Sequence, residues 1–307
     1  MKPIVIALGG NALIRDHEIG NFSQQLKNVT QACKGIATLS KKGIPIIITH
    51  GNGPQVGNLE LCMQTKLSPK IPKMPLDVEG AMTQGQIGHL IFLGLKKWIP
   101  SQKISIVCTH VQVNPNDPAF KNQTKPIGPW YTKKEAKELT KKRIPIIFDP
   151  KKGYRKVVAS PQPEKIIELE SIQELLAKKN IVVCCGGGGI PVVKKRNQFH
   201  GVEAVIDKDH TSALLATKLN AQKLIMLTDI EYVFLDYYSK KPKKIKKMTI
   251  MEAKEHLKKG AFGEGSMKPK IESAIQFSSK NKKIAYIGQT NKIEEILSRK
   301  SGTRIEG

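Results

Sequence analysis

The chain has 307 residues, 39% apolar and 25% charged, enough to bury a core as one large α/β unit or about two domains. No stretch approaches the roughly 20 apolar residues of a membrane span, and the opening MKPIVIALGGNAL is too short in apolar residues for a secretory signal, so a soluble, cytoplasmic protein is expected. The formal net charge of +25 invites nucleic acid, but it is scattered as doublets such as Lys41-Lys42, Lys133-Lys134 and Lys258-Lys259, and only 5% of residues are aromatic. A solvated basic surface is expected, with a polyanion-binding face as the alternative; neither membrane nor nucleic acid is expected as a partner.

In chain order, short β-branched runs predict strands at 4–8, 44–49, 104–109, 144–148, 181–185, 224–228 and 284–287. Helical patterns separate them. Phe22, Leu26, Val29, Cys33 and Ile36 keep a 3.6-residue period, and Thr132/Glu135, Ser171/Glu174 and Thr249/Glu252 have capping-box spacing. Strands apolar throughout, alternating with amphipathic helices, indicate a mostly parallel sheet covered on both faces. Residues 114–163 break this rhythm with Pro115, Pro118, Pro126, Pro129, Pro145, Pro150, Pro161 and Pro163, which predicts a small protruding subdomain.

Ligands of such sheets bind beyond the carboxyl ends of the strands. There the sequence places Gly9-Gly10-Asn11, His50-Gly51-Asn52-Gly53-Pro54, a glycine run over 186–189 and Thr228-Asp229. Taken singly, each glycine turn reads equally as tight packing of a helix on a strand; three at corresponding places predict a cradle for an anion such as a polyphosphate. The chain lacks both G-x-x-x-x-G-K-[ST] and G-x-G-x-x-G. Cys184 and Cys185, next to the glycine run, lack metal or disulfide spacing, and Cys33, Cys62 and Cys108 stand singly in apolar contexts, so buried thiols in a reducing compartment are expected.

Phosphoryl transfer needs cations around the transferring group. Lys208 lies between Asp207 and Asp209, Lys270 follows Gly263, Gly265 and Ser266 at an expected helix start, and Lys125 sits in KPIGPWY. Each also reads as a solvated charge in so basic a chain. Asp209 is placed to orient the lysines or a metal-bound water, or simply to cap a helix. His50 and His110, each expected to end a strand, are conceivable general bases but read better as hydrogen-bonded structural histidines.

The motifs ALGGNAL, ITHGNGPQVGN, MPLDVEGAMTQGQIGH, KPIGPWY, KVVASPQP, CGGGGIPVV, GVEAVIDKD, LTDIEYVFLD and GEGSMKPKIESAI, in this order and spacing, resemble the carbamate kinases, a branch of the amino acid kinase family, over residues 2–307. The resemblance implies a single domain, a three-layer αβα sandwich with an open, mostly parallel central sheet. Residues 1–205 would form an acceptor lobe carrying the protruding subdomain, and 206–307 a lobe for ATP or ADP. It assigns Gly9, Gly10, Asn11, Gly51, Asn52, Gly53, Gly187 and Gly188 to substrate and phosphate, and Lys125, Lys208, Asp209 and Lys270 to catalysis. Asp229, Tyr232, Ser266, Met267 and Lys270 go to the nucleotide. Mg2+ is implied as held mainly by the nucleotide, with no protein ligand assigned, and a homodimer is implied. The activity implied is ATP + carbamate ⇌ ADP + carbamoyl phosphate, run toward ATP in arginine fermentation. The alternatives are another family member acting on a carboxylate or on UMP, or a polyanion-binding protein with an inactive kinase fold. The chain departs from the family pattern at His210 and Thr211, and at Glu79, where the family often has a small residue.

Overall fold

The computed structural model describes residues 1–15, 17–64, 70, 72–150, 153–237, 239, 241–263, 267–279 and 283–307. Ser266, expected at the nucleotide, lies outside them. Eight strands form the central sheet, in the order Lys247–Thr249, Thr303–Glu306, Ile284–Gln289, Lys223–Thr228, Ile4–Leu8, Ile46–His50, Ile181–Val183 and Ile104–Ile106. Pairing is parallel from Ile284–Gln289 across to Ile104–Ile106, and Thr303–Glu306 runs antiparallel to Ile284–Gln289.

Strand residues alternate between the two faces, and each face has its own core. Val5, Ala7, Ile47, Leu224 and Met226 pack with Leu215, Ile271 and Phe277 from helices Lys208–Lys218 and Met267–Ser278. Ile4, Ile6, Leu8, Ile48 and Ile225 pack with Val29, Ile36, Ile87, Ile91 and Ile296 from helices Phe22–Lys41, Leu76–Trp98 and Ile293–Leu297. The result is the three-layer αβα arrangement. Each fully buried Ile or Leu contributes about 1.5–3 kcal/mol of transfer free energy, so two continuous cores tie the sheet to both helix layers.

Local chemistry sets the element ends. Helix Phe22–Lys41 starts at a capping box between Asn21 and Gln24, and Thr132/Glu135 and Thr249/Glu252 form theirs. Ser171/Glu174 does not. That helix spans Leu169–Ala177 and so begins ahead of Ser171, behind Glu168, whose carboxylate accepts from the His110 backbone N–H at 2.7 Å. Phe22 opens the apolar stripe of the first helix yet is 58% exposed, because the buried stripe starts farther along the helix.

The third expected strand, 104–109, stays in the central sheet only over Ile104–Ile106. Gln84 takes over at its end, accepting from Thr109 N–H at 2.8 Å and donating to Thr109 O at 3.1 Å. The chain then enters a second sheet, ordered Gln198–Gly201, Ile190–Lys195, His110–Val113, Pro163–Ile166, so His110 opens a strand instead of ending one. Within the proline-rich stretch a separate three-stranded sheet, Lys125–Tyr131, Gly153–Val158 and Ile146–Asp149, is backed by helix Lys133–Lys141. This arm meets helix Gly53–Gln64 where a Cβ on Gly57 would fall 2.0 Å from the Gly128 backbone, so only glycine permits the approach.

Candidate active site

A cavity of about 480 Å³ opens beyond the carboxyl ends of Ile4–Leu8 and Lys223–Thr228. It brings together Gly9, Gly10, Gly51, Asn52, Gly53, Lys125, Gly187, Lys208, Asp209, Asp229 and Lys270 from distant parts of the chain. Others of the expected residues stand apart from its lining. Tyr232 is buried and donates its hydroxyl to Lys300 O at 3.2 Å, and Met267 packs against the core. The backbone of Asn11 lies in the short helical turn Gly10–Ala12, and its side chain is outside what the structure describes. Gly188 faces away, accepting from Thr211 Oγ1 at 2.8 Å.

The glycine run is required twice over. Cys185 and Gly187, Gly188 and Gly189 all have positive φ, and a Cβ on Gly187 would meet Asn52 Nδ2 at 2.3 Å. Behind this turn Gln84 Nε2 donates to Gly186 O at 3.1 Å, and Asn52 Nδ2 donates to Thr83 Oγ1 at 2.9 Å, so helix Leu76–Trp98 braces the turn.

Three ammonium groups converge on two carboxylates. Asp207 caps helix Lys208–Lys218, accepting from Asp209 N–H at 2.8 Å through Oδ1, and pairs with Lys125 through Oδ2. Asp209, 3% exposed, accepts from Lys208 Nζ at 2.5 Å on one oxygen and from Lys270 Nζ at 3.0 Å on the other. Burial by itself raises the Asp209 pKa, but Lys208 and Lys270 outweigh it and hold the carboxyl below its ordinary value. Burial also lowers the Lys208 pKa, aided by Lys270, whereas for Lys270 the attraction of Asp209 overcomes burial and raises it. The helix N-terminus behind Lys208 adds partial positive charge. Such a site repels cations and attracts a polyanion.

His50 is fully buried, and burial, with the nearby Lys208, pushes its pKa down to about 4, so it is neutral. Its Nδ1 lies 3.1 Å from Gly51 O, which can only accept, and so carries the proton. His110 pairs with Glu168 at 2.7 Å. Both histidines have structural partners, as their better reading held. Among the described residues no three His, Cys, Asp or Glu side chains are grouped to hold a metal ion. Both oxygens of Asp209 already serve lysines, so the donor set favours a metal carried by the ligand's own phosphates.

The sequence model of the amino acid kinase family matches residues 2–289. Carbamate kinase 2 of Staphylococcus aureus (strain bovine RF122 / ET3-1) is 43% identical over 312 residues, covering 99% of each chain. The chain belongs to the amino acid kinase family, within its carbamate kinase branch. The carbamate kinase of Giardia lamblia bound to AMP-PNP superposes with a TM-score of 0.90 at 37% identity, over 99% of this chain and 98% of that one. A protein of Aeropyrum pernix K1 does so at 0.91 and 38%, over 99% of both.

Two charged cavity residues of this family member were given no role by the sequence alone. Arg155 lines the cavity, donates Nε to Gly128 O at 2.9 Å and lies 5.2 Å from the Trp130 ring centroid. Nothing local marks it in so basic a chain; only its strand's pairing with KPIGPWY brings it in. Asp207 was visible merely as a neighbour of Lys208, although a capping aspartate before a helix is a usable signal. The thiols divide: Cys33, Cys184 and Cys185 are buried as expected, but Cys108 is exposed, and so is Cys62, which shares the outer face of helix Gly53–Gln64 with the exposed Leu61.

Proposed function

We propose that this chain transfers a phosphoryl group reversibly between ATP and carbamate, giving ADP and carbamoyl phosphate. The observation that carries the proposal is the convergence of Lys125, Lys208 and Lys270 on a glycine-lined cavity, with Asp209 holding two of the lysines in place. In-line transfer onto an anionic acceptor crowds negative charge, which fixed ammonium and backbone N–H groups offset without reorganising. The carbamate oxygen is already anionic, so no side chain is needed as base, in keeping with a neutral, inward-facing His50.

The division of labour follows the strand ends. Residues 1–205 supply Gly9, Gly10, Gly51, Asn52 and Gly53 for the acceptor and transferred group, and 206–307 supply Lys208 for the transferring phosphate and Asp229 and Lys270 for the nucleotide. Met267, Tyr232 and Ser266 are assigned to the nucleotide by resemblance alone. Mg2+ would ride on the nucleotide phosphates and supply charge neutralisation there. Carbamoyl phosphate is a high-energy acyl phosphate, which favours ATP formation where arginine breakdown supplies it. No described helix is long and apolar enough to cross a membrane, a cytoplasmic setting suits an ATP-coupled step, and a homodimer is assigned.

Protein mixed with ADP, magnesium and carbamoyl phosphate should form ATP. In the reverse assay, acetylglutamate, aspartate, glutamate and UMP should fail as acceptors, and turnover of any of them equal to that of carbamate overturns the proposal.

A further inference from the structure

Away from the cavity, at the joint of the arm, the buried carboxyl groups of Glu60 and Glu79 lie within hydrogen-bonding reach of each other. Glu60 on helix Gly53–Gln64 is 5% exposed and Glu79 on helix Leu76–Trp98 is 0% exposed. Glu60 Oε1 accepts from Lys156 Nζ at 2.5 Å, Gln64 Nε2 at 2.6 Å and Lys73 Nζ at 3.1 Å. Its other oxygen and both oxygens of Glu79 face no donor among the described residues. Two carboxylates offer only acceptors, so the contact between them is satisfied when one keeps a proton and donates it to the other. Lys73 and Lys156 both attach to Glu60, which makes Glu60 the anion and Glu79 the acid.

Glu60 also anchors the arm. Its partner Lys156 lies opposite Ile127 in the pairing of Gly153–Val158 with Lys125–Tyr131, and Lys125 pairs with Val158 in the same ladder. Ile127 and Val158 are buried with Val56, Leu76 and Val205, so the ladder is seated on the two helices that carry the glutamates. Resting on the proposed phosphoryl transfer, we infer that a proton shared by Glu79 and Glu60 fixes the arm strands in the register that presents Lys125 to the cavity, and that losing this proton loosens the arm. The pair is a positioning device, remote from the reacting atoms.

The direction with pH follows. Burial, then the Glu60 charge, pushes the Glu79 pKa up to about 8, against the opposing pull of Lys73 and Lys156. Burial alone would raise the Glu60 pKa, but the hydrogen bonds from Lys156 and Glu79 bring it to about 2. Tyr131 on the arm faces Glu60, and Arg155 in turn faces Tyr131. Folded-state Glu79 is raised above the ordinary carboxyl value of 4.5, so the seated arm is favoured below that value and loses this support as pH rises through about 8. Above that, two buried carboxylates repel and compete for Lys156.

The test is hydrogen exchange at residues 125–131 and 153–158, corrected for intrinsic rate, at pH 6.5 and 9.5, with kcat and nucleotide KM over the same range. Wild type should lose about tenfold or more of its arm protection and about threefold or more of kcat, with KM within about twofold. Glu79→Gln keeps a donor for Glu60 and cannot ionise, so both quantities should hold steady. Glu79→Ala, in line with the small residue of the family, should also remove the pH dependence and carries the test if the amide variant folds poorly. Arm protection in wild type that is equal at the two pH values, or a decline that persists in the folded variants, overturns the inference. The exchange readout needs no substrate, so it stands or falls separately from the proposed activity.

Discussion

Asp207 and Asp209 at the cavity and Glu60 and Glu79 at the arm joint are both buried acidic pairs beside lysines, yet they hold different numbers of protons. At the cavity each carboxylate has its own donors: Lys125 and a backbone N–H for Asp207, Lys208 and Lys270 for Asp209. Burial is outweighed and both pKa values are lowered. At the joint Lys73 and Lys156 both sit on Glu60, and Glu79 is left with a carboxyl neighbour and a raised pKa. Burial acts alike on both pairs. Where the donors stand decides the charge, and charge suits a phosphate site as a retained proton suits a joint.

The sharpest way to break this contrast is at Lys270. Lys270→Met keeps most of the stem volume and removes one of the two donors of Asp209, and kcat is expected to fall about 100-fold or more. Near-normal kcat with a normal melting curve would make this lysine only one more charge of a basic chain. Asp209→Asn tests the other side of the contact. It leaves two buried ammonium groups without the carboxylate between them, and urea denaturation should show a loss of about 3 kcal/mol. An unchanged midpoint would mean that solvent already screens the pair.

These pairings show how far the sequence was legible. The strand Ile4–Leu8 was predicted to the residue because all five of its side chains are buried, so apolar content alone marks it. The run over 186–189 and Gly9 were likewise legible, since positive φ in the first and a close approach to Leu227 O in the second demand glycine, and Lys208 was marked by its DKD cluster. What failed was decided by contacts from afar. The strand at 104–109 was cut short by Gln84, the cap expected at Ser171 gave way to an earlier helix start, and Arg155 entered the cavity only through sheet pairing. The Glu60 and Glu79 pair was likewise invisible, for it exists only where two helices cross.

Lys125 gives the next smaller effect. It opens its strand, pairs with Asp207 and belongs to the arm, whereas Asp229 and Lys270, proposed for the nucleotide, come from elements after residue 206. Lys125→Ala should lower kcat about tenfold or more while the nucleotide Kd stays within about threefold, read by titration beside turnover. Equal losses in both would place this lysine on the nucleotide and remove the arm from the chemistry.

The smallest effect is expected at Cys184 and Cys185, which adjoin the cradle without facing it. Both are buried in the core that contains Val182 and Ile206, and Cys185 N–H donates to Thr109 Oγ1 at 3.0 Å through the backbone, a bond no side-chain change removes. The contact with Cys185, then burial, raises the Cys184 thiol pKa, so this sulfur is neutral and a poor nucleophile or metal ligand. Cys184→Val combined with Cys185→Ala therefore changes packing alone. Position 185 has φ 51°, a left-handed conformation that a β-branched side chain would strain, and alanine is the safer choice there. The double variant should keep kcat within about threefold and lose about 1–2 kcal/mol in urea denaturation, with no zinc in the purified wild type by elemental analysis. Stoichiometric zinc, or a collapse of kcat in a variant that melts normally, would show that the thiols contribute chemistry to the glycine turn and not packing.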